Sequence, residues 1–175
     1  GALSQSEASL MVWLAVQLFA SPLRARTLAD AVWGTHIRRT EGADGAIDFE
    51  FVLGDHEGDG PKSKHAYPVR FKLSDLGGLD AAGLTNSTVV IAALEALYQF
   101  QRWNRTRGPA GRVFRRDPDG TALPKNAFNL FFRKHVGAEL TCDLLRHRIE
   151  TDASKMLIRK EITAHDRALV STLQQ

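Results

Sequence analysis

Residues 46–53, AIDFEFVL, set Ile47, Phe49 and Phe51 against Asp48 and Glu50 in alternation. Side chains that switch faces at every step suit a strand with one buried face; a 3.6-residue period would scatter these apolar positions around a helix. Residues 65–73, HAYPVRFKL, repeat the pattern with Tyr67, Val69 and Phe71 on one face. The glycine-rich loop GDHEGDGPKSK lies between them. Two alternating stretches joined by such a loop predict an antiparallel hairpin. Elsewhere the apolar residues recur at helical spacing. The expected fold class is therefore mainly α, of the α+β kind, with a small antiparallel sheet packed against helices.

Six stretches carry the helical period. Residues 3–20 show a wide apolar face through Leu10, Leu14, Val16, Leu18 and Phe19, with Ser4 or Ser6 as cap and Ser21-Pro22 as terminator. A short helix is expected over 26–32. Residues 74–85, SDLGGLDAAGLT, read as a linker-like turn region. Residues 86–103 form a long helix with Val89, Ile91, Ala92, Leu94, Leu97, Tyr98 and Phe100. Val113-Phe114, between basic flanks, reads as a short edge strand. Residues 124–136 are amphipathic, with Phe128, Phe131 and Phe132 toward the core and Gly137 as the stop. In 140–152, Leu140, Leu144, Leu145 and Ile149 keep helix spacing behind Thr141 as cap, and a polar joint follows at 153–155. The last helix starts at Thr163 with Leu169, Val170 and Leu173 as its stripe, and its pattern is still running at Gln175. The leading Gly-Ala reads as a cloning remnant, so a piece of a longer protein is expected.

At 175 residues, with 43% hydrophobic and 25% charged content, residues 1–175 make one domain with a sizeable core. No apolar run reaches the roughly eighteen residues of a membrane span, and no secretory signal is visible. The single cysteine, Cys142, excludes intramolecular disulfides and a cysteine-rich zinc site, which suits an intracellular setting in cytoplasm, nucleoid or nucleus. Asp55, Glu57, Asp59 and Gly60 begin a calcium-loop pattern, but Ala66 occupies the twelfth position where a bidentate glutamate is needed. No metal and no cofactor are expected. Without a secretory signal, the glycosylation sequons at Asn86 and Asn104 are chance matches.

The net charge of +3 and pI of about 9.2 fit a polyanionic partner. Arg146 and His147 stand side by side in the 140–152 helix, where a planar guanidinium fork could grip one phosphate. Arg24 lies at a helix junction; Lys62 and Lys64 lie near the hairpin tip. QRWNRTRGPAGRVFRRDPDG brings Arg102, Arg105, Arg107, Arg112, Arg115 and Arg116 among Trp103 and Phe114, the footprint of a nucleic-acid surface. The plainer reading of each is a solvated arginine or lysine on a loop or helix end.

The order of these pieces resembles the catalytic domain of tyrosine recombinases, the phage-integrase-like enzymes. That family's T-G-L-R motif, with a tryptophan nine positions after the arginine, corresponds to S-P-L-R with Arg24 and Trp33. Its catalytic lysine, in a pattern like K-x-K-x-x-x-x-V-P-L, corresponds to Lys62 in KSKHAYPVRFKL, with Lys64 as the nearby substitute. RVFRRDPDGTALPKNAFNLFFRKHVG follows its "LF…DG…" and "F…FR…G" pieces, and D-L-L-R-H sets Arg146 and His147 on the H-x-L-R-H motif. The resemblance covers nearly the whole chain.

What it implies is a helical domain whose two arginines, Arg24 and Arg146, stabilise charge on one phosphate. Lys62 would protonate the leaving oxygen, and a tyrosine would form a phosphotyrosyl bond. Implied partners are DNA and other recombinase protomers on it, with no membrane and no small-molecule substrate. The chain departs from the pattern. Asp143 replaces the motif's first histidine, and Thr27 stands where an acidic residue commonly follows the first arginine. The only tyrosines are Tyr67 and Tyr98. If His165 is the family's later histidine, Gln174 falls on the nucleophile position; otherwise the chain ends just before that segment. The family's N-terminal core-binding domain is also expected to be missing. The expected function is DNA binding on a fold related to strand cleavage and rejoining, as in integration and recombination, without cleavage by this chain. The alternatives are a domesticated, non-catalytic DNA-binding regulator or structural factor, and an unrelated helical interaction module with solvated arginines.

Overall fold

A computed structural model describes residues 2–20, 28–53, 69–102, 108–124, 126–140 and 142–173. The first helix, α1 (Gln5–Phe19), starts on a reciprocal cap. Ser4 Oγ accepts the Glu7 N–H at 3.2 Å, and the Glu7 carboxylate accepts the Ser4 N–H at 2.8 Å. These bonds hold the Glu7 carboxyl below its usual range. At the far end, the Phe19 carbonyl accepts the Asn86 N–H at 2.6 Å. That bond joins α1 to the start of the long helix, here called α3 (Ser87–Arg102). Val12, Trp13 and Val16 from α1 and Val90, Leu94 and Leu97 from α3 are all buried.

Against the helices lies a three-stranded antiparallel sheet in the order β1 (Ile37–Glu41), β2 (Ile47–Leu53), β3 (Val69–Lys72). The register aligns Ile37, Phe51 and Phe71 across the three strands. All three are buried, and the Phe51 and Phe71 rings stack at 4.9 Å. The two predicted strands are thus β2 and the described part of the second alternating run; the loop between them lies outside the described residues. β1 is a strand that the apolar alternation did not reveal.

Residues 74–85 are not a linker. A 3-10 turn (Leu73–Leu76) runs into a short helix, α2 (Gly77–Ala81), and Leu73, Leu76 and Leu79 are fully buried. Asp80 then ties down the approach to α3: its carboxylate accepts the Thr85 hydroxyl at 2.6 Å, the Ser87 N–H at 3.0 Å and the Ser87 hydroxyl. Val113 and Phe114 are also fully buried, but no edge strand forms. Arg112 and Arg115 on either side make isolated bridges to Val32 and Ala122. The helix expected over 26–32 shows only Leu28 and Ala29 as helical among its described residues, because Val32 pairs with Arg112.

Three helices complete the described chain: α4 (Ala127–His135), α5 (Cys142–Ile158) and α6 (Ala164–Leu173). Phe128 and Phe132 of α4 enter the core; Phe131 is only half-buried and packs on His135 at 4.2 Å. The polar joint expected at 153–155 does not break α5. Ala153 is fully buried, so the helix runs through it onto the core. The cap predicted at Thr163 is present. Its hydroxyl accepts the Asp166 N–H at 3.1 Å, and the Asp166 carboxylate accepts the Thr163 N–H at 3.1 Å.

Candidate nucleic-acid interface

Helix α5 carries Arg146 and His147, and its packing decides how they are presented. Leu145 and Ile149 are half-buried against the core, and Ala153 is fully so. Leu140 and Leu144 are 43% and 53% exposed, so only part of the predicted apolar stripe faces inward. Arg146, next to Leu145, is half-buried, and His147 is exposed. The Thr151 hydroxyl donates to the His147 carbonyl at 2.9 Å, within the helix. Arg167 of α6 clamps α5 from the side. Its Nε donates to Ser154 Oγ at 3.1 Å and its Nη2 to the Glu150 carboxylate at 3.4 Å. The stretch of α5 that carries Arg146 and His147 is thus held by core packing and by the Arg167 contacts.

Asp143 lies in the first turn of α5, with its side chain outside the description. Arg24, Lys62, Lys64, Arg105 and Arg107 lie outside the described residues, and so does any approach of Arg24 to Arg146.

The remaining arginines separate into different environments. Arg102 is exposed in the last turn of α3. Arg116 is exposed too, with its backbone well held: its N–H donates to Thr121 at 2.8 Å, and its carbonyl accepts the Ser6 hydroxyl at 3.0 Å. The turn after it is pinned by Asp117, whose carboxylate accepts the N–H groups of Asp119 and Thr121 at 3.0 and 3.2 Å. Hydrogen bonds from Thr121 hold that carboxyl below the usual range. Arg112 reaches Asp30 at 2.8 Å in an exposed ion pair. Arg115 is a correction to the surface reading. It is 2% exposed, its guanidinium donates to the Ala110 carbonyl at 3.0 Å, and its backbone docks on Ser9. One residue of the Arg115-Arg116 pair therefore belongs to the interior and the other to the surface.

Trp33, nine positions after Arg24, is an anchor beneath this region. Its Nε1 donates to Gln101 Oε1 at 2.7 Å, and Gln101 Nε2 donates to the Val113 carbonyl at 2.8 Å. This relay ties the end of α3, where Arg102 emerges, to the segment that carries Arg112, Arg115 and Arg116. Sequence reasoning missed the relay, since Gln101 looks like an ordinary polar residue near a helix end. It also missed Arg39. Arg39 makes a paired contact with Glu95, and its guanidinium lies 5.0 Å from the Tyr98 ring centre. Among the described residues no cluster of three or more His, Cys, Asp or Glu could hold a metal ion, and no helix is long and apolar enough to cross a membrane. No family model, curated protein or solved structure matches the chain.

Proposed function

We propose that this chain is a DNA-binding domain of tyrosine-recombinase-like architecture that engages the phosphate backbone without cutting it. The observation that carries the reading is the Arg146–His147 pair, half-buried and exposed in turn, on a helix fixed by core packing and by Arg167. The element order supports it: an apolar helix, a three-stranded antiparallel sheet, a long helix, then the arginine-bearing helix. Arg102 and Arg116 add exposed cations anchored through the Trp33–Gln101 relay and the Ser6 contact. The function would be recognition of a backbone phosphate by Arg146 and His147, with Arg24 as the expected second arginine and Lys62 the expected lysine. The non-catalytic regulator is the second reading, favoured by Asp143 at the motif's first histidine position.

The test is a mobility-shift titration on duplex DNA across a salt series. Weak binding that falls steeply with salt is expected, because phosphate contacts release counterions. Arg146→Gln should weaken binding about tenfold or more, the loss expected for one hydrogen-bonded charged contact. Absence of binding at low salt would overturn the reading.

A further inference from the structure

Helix α5 gives one face to the core and the other to solvent along most of its length. Leu145, Ile149, Ala153, Met156 and Leu157 recur at helical spacing and pack inward. His147, Thr151, Lys155 and Ile158 recur at the same spacing on the opposite side, and all are exposed. Arg148 stands beside them with its side chain 80% exposed. From His147 to Ile158 this outer face is about 16 Å long at about 1.5 Å per residue, roughly half a turn of duplex DNA. Acids nearby are already engaged: Asp152 meets Arg148 at 3.9 Å, and Glu150 meets Arg167 at 3.4 Å. Glu161 is exposed beyond the helix end.

The end of this face combines charge with an apolar tip. Ile158 is 82% exposed, against 57% for Leu130, the next large apolar side chain among the described residues. Lys155, Arg159 and Lys160 near it in the chain are exposed as well. The backbone there is well bonded. The Arg159 N–H donates to the Lys155 carbonyl at 3.1 Å, that of Lys160 to Leu157 at 3.0 Å, and that of Glu161 to Met156 at 2.8 Å. Lys160 closes the helix with a left-handed φ of 60°, and Ile162 is buried just beyond it. A β-branched side chain is stiff about its first torsion, so the tip keeps its direction. An apolar side chain among cations fits an anionic partner with apolar surface behind its charges. Duplex DNA is such a partner, since sugars and base edges lie behind its phosphates. A lipid surface fits less well, because an interfacial helix turns its apolar face to the membrane and that of α5 is turned to the core. Resting on the DNA-binding reading above, we infer that the outer face of α5 runs along the duplex beyond the Arg146–His147 pair, with Lys155 and Arg159 on backbone phosphates and Ile158 against the sugar and base edges between them.

The test is fluorescence anisotropy of the full chain on labelled duplex DNA over a salt series, with Lys155→Gln, Arg159→Gln and Ile158→Ala beside the parent. All three side chains are exposed, so urea melts should coincide with the parent's. Lys155→Gln and Arg159→Gln should each lower the salt slope by about one. Ile158→Ala should weaken binding at least about fourfold, the worth of one buried methylene, with the slope unchanged because no phosphate contact is lost. If the parent binds and Arg146→Gln weakens it, but Lys155→Gln and Arg159→Gln keep the parent slope, this inference falls and the DNA-binding reading stands. If the parent binds no duplex at low salt, both fall. Full affinity in Ile158→Ala would overturn the part assigned to Ile158. Binding to phosphatidylserine vesicles that outlasts DNA binding as salt rises, and that Ile158→Ala abolishes, would assign the face to lipid and overturn the inference.

Discussion

Arg39 on β1 and Glu95 on α3 meet at two points, Nε to Oε2 at 2.7 Å and Nη2 to Oε1 at 2.8 Å, and so fasten the sheet to the long helix. Both side chains are largely buried, at 17% and 25% exposure. Hydrogen bonding from Arg39 is the main influence holding the Glu95 carboxyl below its ordinary value, against desolvation that raises it. A depressed folded pKa stabilises above the unfolded value of about 4.3 and loses that contribution as pH falls through the lower folded value. Glu95→Gln should therefore cost about 1–2 kcal/mol at neutral pH, after allowing for partial exposure. It should also flatten the decline of stability on acidification below about pH 4.3. Urea melts across that window would show both effects; an unaltered acid limb would mean that the pair contributes nothing.

Gly78 and Asp166 make a second tight contact. A Cβ at Gly78 would collide with the buried Asp166 carboxylate, whereas a Cβ at Gly77 would meet nothing within 4 Å. Gly78→Ala should destabilise by about 1–3 kcal/mol, as overpacking does. Gly77→Ala should be neutral or gain up to about 1 kcal/mol from helix propensity. Thermal melts of the two single variants would compare them directly, and equal effects would show that the Asp166 contact is not limiting.

These two contacts explain much of what could and could not be read in the sequence. Strands β2 and β3 announced themselves because Phe49, Phe51 and Phe71 alternate with polar residues and are buried. β1 did not, because IRRTE offers one apolar residue, and an arginine held by a distant glutamate sits on its inner side. Local periodicity does not register a partner 56 residues away. Residues 74–85 looked like a linker because of their glycines, yet Gly78 is there to let Asp166 come close. The caps at Ser4 and Thr163 were legible because they are local. Arg115 and Arg116 are the same residue type, and the Ser9 contact and the bond to Ala110 help set Arg115 apart.

That separation has a measurable consequence. Arg116→Gln and Arg102→Gln should each reduce the salt slope of DNA binding by about one, as loss of a phosphate contact does. Arg112 should contribute less, since its guanidinium already meets Asp30. Arg115→Met should leave the slope unchanged while lowering stability by about 1–3 kcal/mol through the unsatisfied Ala110 carbonyl. Fluorescence anisotropy over a salt series, paired with urea melts, separates the two kinds of effect. A slope that falls with Arg115→Met at full folding would return that residue to the surface.

The chain should form no covalent complex with a nicked suicide DNA substrate. Tyr67, outside the described residues, belongs to an alternating run with Val69 and Phe71, a pattern that calls for packing. Tyr98 is half-buried, set edge-on to Trp33 at 5.4 Å and beneath the Arg39 guanidinium. Its hydroxyl lies against Gly108, where even a Cβ would have no room. A phenol packed among Trp33, Arg39 and Gly108 serves the junction between β1 and α3. The arginines keep their charge at any working pH, so binding without cleavage is the expected phenotype. A denaturing gel after incubation with the nicked substrate should show free DNA only. Tyr67→Phe and Tyr98→Phe should bind DNA as the parent does, apart from any loss of stability. A DNA-linked band that either substitution abolishes would identify that tyrosine as the nucleophile and move the active site to it.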